Sequence, residues 1–290
     1  EKELPVLLPE KVKFGKGNPL TTEKDFINVK CPKCKGKARR ETDTMDTFFD
    51  SSWYYLRFTD SGNNKKAFDK TKAEYWMPVD FYTGGAEHAT MHLIYARFFT
   101  KFLRDINLIK LDEPFIKLFN QGMIHGDDGA VMSKSRGNVV TPEVVSDKYG
   151  IDTTRLFLMS NASPDKDKEW SEQGIYGSYK FVSKLIGYFF KLQLGKSDEK
   201  VLSKVHKTVK QVTSDIENLK YNLAIIKIRE LFDYFSERNI GKKELENFTK
   251  LISPFMPHIA EEFWSILGNK GFVSLADWPK ADESKINEKF

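Results

Sequence analysis

Long apolar runs are missing from this sequence. No stretch approaches the roughly 18 consecutive apolar residues a membrane-spanning helix needs, which excludes a helical membrane anchor. The first residues, Glu1-Lys2-Glu3-Leu4-Pro5, lack the apolar core of a secretory signal, so none is expected. Cysteine is almost absent. Its two copies lie in one short motif, too few for a disulfide framework and in keeping with a reducing, cytoplasmic setting. Histidine occurs only at positions 88, 92, 125, 206 and 258. Neither sign of charge predominates: the net charge of +5 permits a polyanionic partner without requiring one. Internal repeats and low-complexity tracts are also lacking, which excludes solenoid architectures. What remains is an ordinary globular composition, with 40% hydrophobic residues in a chain of 290, enough for two domains with separate cores.

Three regions differ in texture. Residues 1–45 are rich in turn formers (Pro5, Pro9, Gly15, Gly17, Pro19, Pro32, Gly36). Residues 46–163 mix strand-like apolar runs with helical patterns, which predicts an α/β layer architecture. Residues 164–290 read as an all-α bundle. Leu202, Val205, Val209, Val212, Ile216 and Leu219 recur by three and four, and Ala224, Ile228, Leu231, Phe232 and Phe235 repeat the pattern. Pro257 suits the first turn of a further helix, where its missing N–H costs nothing. Eight lysines crowd residues 180–210 against Asp198 and Glu199, either as a solvated helix face or as a surface for phosphates.

The segment Val131-Met132-Ser133-Lys134-Ser135-Arg136-Gly137-Asn138 follows a strand-like run, Phe115 to Ile124, and a tight turn, His125 to Gly129. It precedes Thr141-Pro142-Glu143, which reads as a helix start with a threonine N-cap. A lysine between small hydroxyls on a loop suits a migrating negative charge: the ammonium is a point charge, and hydroxyls and amides add hydrogen bonds to phosphate oxygens. In Val79 to His92, an apolar strand runs into Gly84-Gly85 and then a helix. Glycines let a ligand approach the backbone, and a helix start offers free N–H groups. His88 and His92, four apart, share a helix face; Glu87 precedes both, so the spacing is not that of a zinc H-E-x-x-H helix. The stretch Arg40 to Tyr55 interleaves aromatics with small polar groups, as a shaped apolar pocket requires. Cys31-Pro32-Lys33-Cys34 is half of a zinc knuckle. It fits a site completed by ligands outside this sequence, a vestigial turn, or, least well, a redox pair.

Together these segments resemble the class I aminoacyl-tRNA synthetases, most closely the leucyl-tRNA synthetases. Residues 131–138 are similar to their K-M-S-K-S loop, residues 84–89 to their G-G-x-E-H-A stretch, and residues 253–264 (Ser-Pro-Phe-Met-Pro-His-Ile-Ala-Glu-Glu-Phe-Trp) to the signature of their helical anticodon-binding domain. The resemblance implies the second half of a Rossmann-like nucleotide-binding fold followed by that helical domain. It implies ATP with Mg²⁺, leucine and a leucine tRNA as ligands, and a possible structural Zn²⁺ at Cys31 and Cys34. Lys134 would meet the pyrophosphate leaving ATP, with His88 at the nucleotide. Gly84, Gly85, Glu87, Gly122, Met123, Met132, Ser133 and Ser135 would line the ATP site, and Tyr55, Tyr82 and His92 the leucine pocket. Ile259, Phe263 and Ile266 or Leu267 would pack one face, with His258 structural. The family's first loop lysine is Val131 here, which leaves one cation fewer. No H-x-G-H motif occurs, so the first half of the nucleotide fold is expected as a partner, on the same chain or on another. An isoleucyl or valyl enzyme, or a tRNA-binding module without catalysis, are the alternative readings.

Overall fold

A computed structural model describes residues 5–287. The Glu1–Leu4 part of the N-terminal reading, and the outer domain limits at 1 and 290, lie outside the described residues. By packing, the chain falls into two compact units: residues up to Asp80 with His88–Ile116, and Phe81–Glu87 with Lys117 onward.

In the first unit, α1 (Lys24–Ile27) leads into β1 (Asn28–Lys30), which pairs antiparallel with β2 (Lys37–Arg39), Val29 opposite Ala38. The cysteine turn joins these strands. α2 (Phe48–Ser51) and α3 (Tyr54–Phe58) carry the aromatic motif. α4 (Lys70–Trp76) starts at Asp69, whose carboxylate accepts the free amides of Thr71 and Lys72, as an N-cap should. β3 (Val79–Gly85) passes into the second unit at Phe81 and takes in both glycines of the second motif; a 3-10 turn follows at Ala86–Thr90, and α5 (His92–Asp105), again in the first unit, begins only then. β4 (Phe115–Gln121), which passes into the second unit at Lys117, is the neighbour of β3. The core gathers Tyr55, Leu56, Phe68, Ala73, Met77, Ala96, Leu103 and Ile109.

In the second unit, β5 (Ile124–His125) pairs in parallel with β6 (Lys168–Glu169), Ile124 opposite Lys168. Between them lie α6 (Pro142–Tyr149) and α7 (Ile151–Ser160). The expected strand from Phe115 to Ile124 is therefore broken in two, at Gly122. The amide of Gly122 donates to the Pro164 carbonyl at 2.9 Å, and a side chain there would overlap the Lys166 backbone. Only glycine allows that approach, and the approach turns the chain. Thr141 has the extended backbone of an N-cap before Pro142, but its hydroxyl accepts no helix amide, unlike the expectation.

The helical part comprises α8 (Glu172–Phe190), α9 (Glu199–Glu217), α10 (Tyr221–Phe235), α11 (Lys242–Ile252) and α12 (Pro257–Ile266). All five α10 positions read from the sequence are buried. On α9 the periodicity holds at Val205, Val209 and Val212, whereas Leu219 lies beyond the helix end and Val201 fills the buried first-turn position. Pro257 occupies the first turn of α12, where Phe263 and Leu267 face the core and Ile266 does not. Phe189 and Phe263 stack with centroids 3.7 Å apart at the centre of this core. α7 adds Leu156 to it.

Candidate functional site

The loop that carries Lys134 is a built turn. The amide of Gly126 donates to Ala130 O (2.8 Å) and that of Met132 to Ile124 O (2.9 Å), so the chain folds back as a short hairpin with His125 opposite Val131. Beyond it, the amide of Arg136 donates to Ser133 O (3.1 Å) and that of Gly137 to Ser133 O (3.2 Å), closing one helical turn. The Ser133 and Ser135 hydroxyls stand 2.8 Å apart. Met132 is half-buried against the cluster of Val145, Phe157, Trp170 and Ile175, which anchors the loop from below. Lys134 and Ser135 are exposed on its outside. Among the described residues no ion pair to Lys134 is seen, so its ammonium is available to an anion.

His125 ties the hairpin to the strand beside it. Its Nδ1 lies 2.9 Å from Gly129 O and its Nε2 3.3 Å from Asp167 Oδ2. The Gly129 carbonyl first, and the Asp167 carboxylate second, hold the imidazole above its ordinary pKa. Asp167 in turn accepts the Met123 amide at 2.8 Å. Met123 thus holds the loop's root through its backbone. Gly122 serves the same root: the bareness of its Cα is used by residues 164–167 of the chain itself.

Gly84, Gly85 and Glu87 belong to the same unit as this loop. Gly84 has open space where a side chain would project. At Gly85 the Glu87 carboxylate folds back over the bare Cα and takes that place. The acid is thereby set close against the backbone at the carboxyl end of β3, where α/β folds bind ligands. Tyr82 is half-buried on the same strand.

His88, His92 and Tyr55 belong to the other unit. The two histidine rings meet edge to face, 6.2 Å between centroids. Phe48 stands 6.1 Å from His88, Tyr54 lies 6.4 Å from His92, and Ser51 Oγ is 3.3 Å from His92 Nδ1. Burial first, and the neighbouring His88 second, push the His92 imidazole below its ordinary pKa. Tyr55 is a core residue. Its hydroxyl meets Thr100 Oγ1 (3.1 Å) and Ala96 O (3.3 Å), and burial pushes its phenol up to about 12. Sequence reading missed Phe48, Ser51 and Tyr54 as the groups beside the histidines. The signal was present in the three-residue spacing of Phe48, Ser51 and Tyr54.

Cys31 and Cys34 stand on one tight turn, with the Cys31 amide donating to Gly36 O (2.9 Å) and the Lys35 amide to Cys31 O (2.8 Å). The Cys34 and Lys33 amides, in that order, and then the Cys34 thiol, draw the Cys31 thiol below its ordinary pKa. Two thiols three residues apart on one turn match half of a four-ligand metal set. Among the described residues no group of three or more His, Cys, Asp or Glu could hold a metal ion. In the lysine-rich stretch, Lys184 pairs with Asp233 (2.9 Å), Lys210 with Glu283 (2.8 Å) and Lys204 with Glu230 (4.0 Å), so part of that charge is answered locally. Among the described residues no helix is long and apolar enough to cross a membrane.

Residues 10–171 match the family model for tRNA synthetases class I (I, L, M and V), and residues 198–290 that for the anticodon-binding domain of tRNA ligase. The chain is 42% identical to the leucine–tRNA ligase of Petrotoga mobilis and 45% to that of Thermosipho melanesiensis, over 99% of its own length and 38% of theirs. It therefore spans about 38% of the length of the curated relatives it matches. The crystal structure of a ternary complex of Agrobacterium radiobacter LeuRS, tRNA and LeuAMS superposes with a TM-score of 0.86 at 33% identity, covering 99% of this chain and 40% of that one. A Mycobacterium tuberculosis methionyl-tRNA synthetase in complex with methionyl-adenylate shares the fold, with a TM-score of 0.56 at 18% identity over 83% of this chain and 52% of that one. The α/β part is accordingly the second half of a Rossmann-like catalytic domain, and the helices after it an anticodon-binding domain.

Proposed function

Since the chain belongs to the class I tRNA synthetase family of the isoleucyl, leucyl, methionyl and valyl enzymes, we propose that it is the part of a leucine–tRNA ligase that holds ATP and meets the tRNA. In the proposed reaction the leucine carboxylate attacks the α-phosphorus of ATP, giving leucyl-adenylate and pyrophosphate. The leucyl group then passes to the terminal ribose of tRNA(Leu), releasing AMP. Positioning and electrostatic stabilisation of phosphoryl charge do most of this work.

The observation that carries the reading is the Lys134 loop: an exposed ammonium and two paired hydroxyls on a turn fixed by its own backbone bonds. Lys134 takes up the charge that develops on the departing pyrophosphate, with the Ser133 and Ser135 hydroxyls on its oxygens. Gly84, Gly85 and Glu87 seat the adenosine, and Gly122, Met123 and Met132 support the loop behind it. His88 borders the nucleotide. His92, buried beside Ser51, borders the leucine side chain together with Tyr54, and Tyr55 packs against Tyr54. Tyr82, on β3, is assigned to the leucine pocket as well. Mg²⁺ accompanies ATP and neutralises phosphate charge. Cys31 and Cys34 supply half of a structural zinc site whose other ligands lie outside this chain. Partners are tRNA(Leu) and the remaining part of the synthetase, in the cytoplasm. The exposed Ile94, Phe98 and Phe102 on α5 are the apolar surface that the remaining part would cover. The functional division stands at residues 45 and 163.

The test is ATP–pyrophosphate exchange by the complete synthetase with leucine, isoleucine and valine in turn. Leucine-dependent exchange is expected, with none from this chain alone. Exchange driven by isoleucine or valine would assign the chain to another member of the family.

A further inference from the structure

The Lys134 ammonium fixes nothing in its own loop, so other side chains must determine where it points. Asn138 reaches into every limb of that loop. Its Oδ1 accepts the Ser133 amide at 2.9 Å, which closes the ring of residues that contains Lys134. Its Nδ2 lies 3.2 Å from each oxygen of the Asp128 carboxylate, and 3.5 Å from the carbonyls of Ala130 and Val131. Asp128 Oδ1 also accepts the Ala130 amide at 3.1 Å. One side-chain amide thus joins the hairpin turn, the returning strand and the start of the lysine turn.

We propose that Asn138 and Asp128 are positioning residues for Lys134, a clasp that sets the lysine loop before ATP arrives. The proposal rests on the reading of Lys134 as the group that meets pyrophosphate. The chemistry is specific to an amide facing a carboxylate. The Asn138 carbonyl end must accept from Ser133 and its amino end must donate to Asp128, so while position 128 is a carboxylate neither a carboxylate nor an apolar residue can replace it. The clasp lies on the surface and holds no core residue. Its loss should therefore be felt in the geometry of Lys134 rather than in the folding of the unit. Pre-set donors stabilise a transition state because no reorganisation is left to be done during the reaction.

The test exchanges the two groups in the complete synthetase. Asn138→Asp sets carboxylate against carboxylate. The double variant Asn138→Asp with Asp128→Asn restores one donor between the two positions, with its direction reversed, and keeps an acceptor for Ser133. Two readouts are taken: kcat and KM for leucine in ATP–pyrophosphate exchange, and hydrogen exchange of the amides in residues 131–138. Asn138→Asp is expected to lower kcat by up to about 10²-fold, the scale of an ångström-sized misplacement, while KM for leucine stays near the parent value. The same variant should speed exchange of the Ser133 amide. The double variant should recover most of both. Parent-like amide exchange in Asn138→Asp, or a double variant no better than the single one in either readout, would overturn the proposal. Loss of leucine-dependent exchange in the parent enzyme would instead remove the functional reading, and the amide-exchange arm would still decide the clasp.

Discussion

Asp152 and His258 meet across 106 residues of sequence, with Asp152 Oδ1 2.8 Å from His258 Nδ1. The other carboxylate oxygen accepts the Ile259 amide at 2.8 Å. Asp152 is 4% exposed, in the first turn of α7, and it satisfies a first-turn amide of α12 that has no partner within its own helix. His258 is thereby a structural residue, as its place in a packing signature suggested. Asp152→Ala leaves that amide without its acceptor and should cost about 1–3 kcal/mol. Asp152→Asn, which keeps an acceptor, should cost less. Urea unfolding of the chain followed by circular dichroism measures both, and equal midpoints for parent and Asp152→Ala would refute the role.

Two glycines that look alike in sequence should behave differently. A methyl at Gly122 would overlap the Lys166 carbonyl, whereas Gly84 has nothing nearby. Gly122→Ala should destabilise by about 1–3 kcal/mol, the cost of overpacking, and loosen the pairing of β5 with β6. Gly84→Ala should leave stability close to the parent and, in the complete synthetase, raise the KM for ATP. Thermal unfolding beside nucleotide kinetics separates the two, and an equal loss of stability in both would contradict the geometry.

Lys134→Ala should leave unfolding unchanged, because the side chain is exposed and makes no ion pair among the described residues. In the complete synthetase it should lose on the order of 3 kcal/mol of transition-state stabilisation, by comparison with removal of one oxyanion donor. Pyrophosphate exchange at the parent rate would take Lys134 out of the mechanism.

Both ring nitrogens of His125 face acceptors, Gly129 O and Asp167 Oδ2. The imidazolium satisfies both and the neutral ring only one. A raised pKa in the folded chain means that this contribution is fully present below the unfolded value near about 6.5. It is lost as pH rises through the higher folded value. The hairpin amides should therefore exchange faster, beyond the intrinsic trend, above that pH. Asp167→Asn should bring the His125 titration, followed by NMR, back toward the ordinary value. A His125 that titrates at or below about 6.5 in the parent chain would contradict this account.

Sequence by itself determined the chemistry-bearing segments and the helical faces. Side-chain type and a three-to-four-residue period are local properties, so Lys134 between two serines, the paired glycines before Glu87, and the α10 stripe from Ala224 to Phe235 could be read directly. Local contacts also explain why Pro257 marks a helix start. Tertiary structure decided what depends on a distant part of the chain. Strand pairing at Gly122 is broken because residues 164–167 arrive there. Tyr55 turns inward to the α5 backbone, which leaves Phe48, Ser51 and Tyr54 beside the histidines. Asp152 acquires a role only when α12 is brought to it. In each case the deciding partner lies more than thirty residues away, beyond the reach of any periodicity, because a hydrogen bond or a close approach registers spatial neighbours and not chain neighbours.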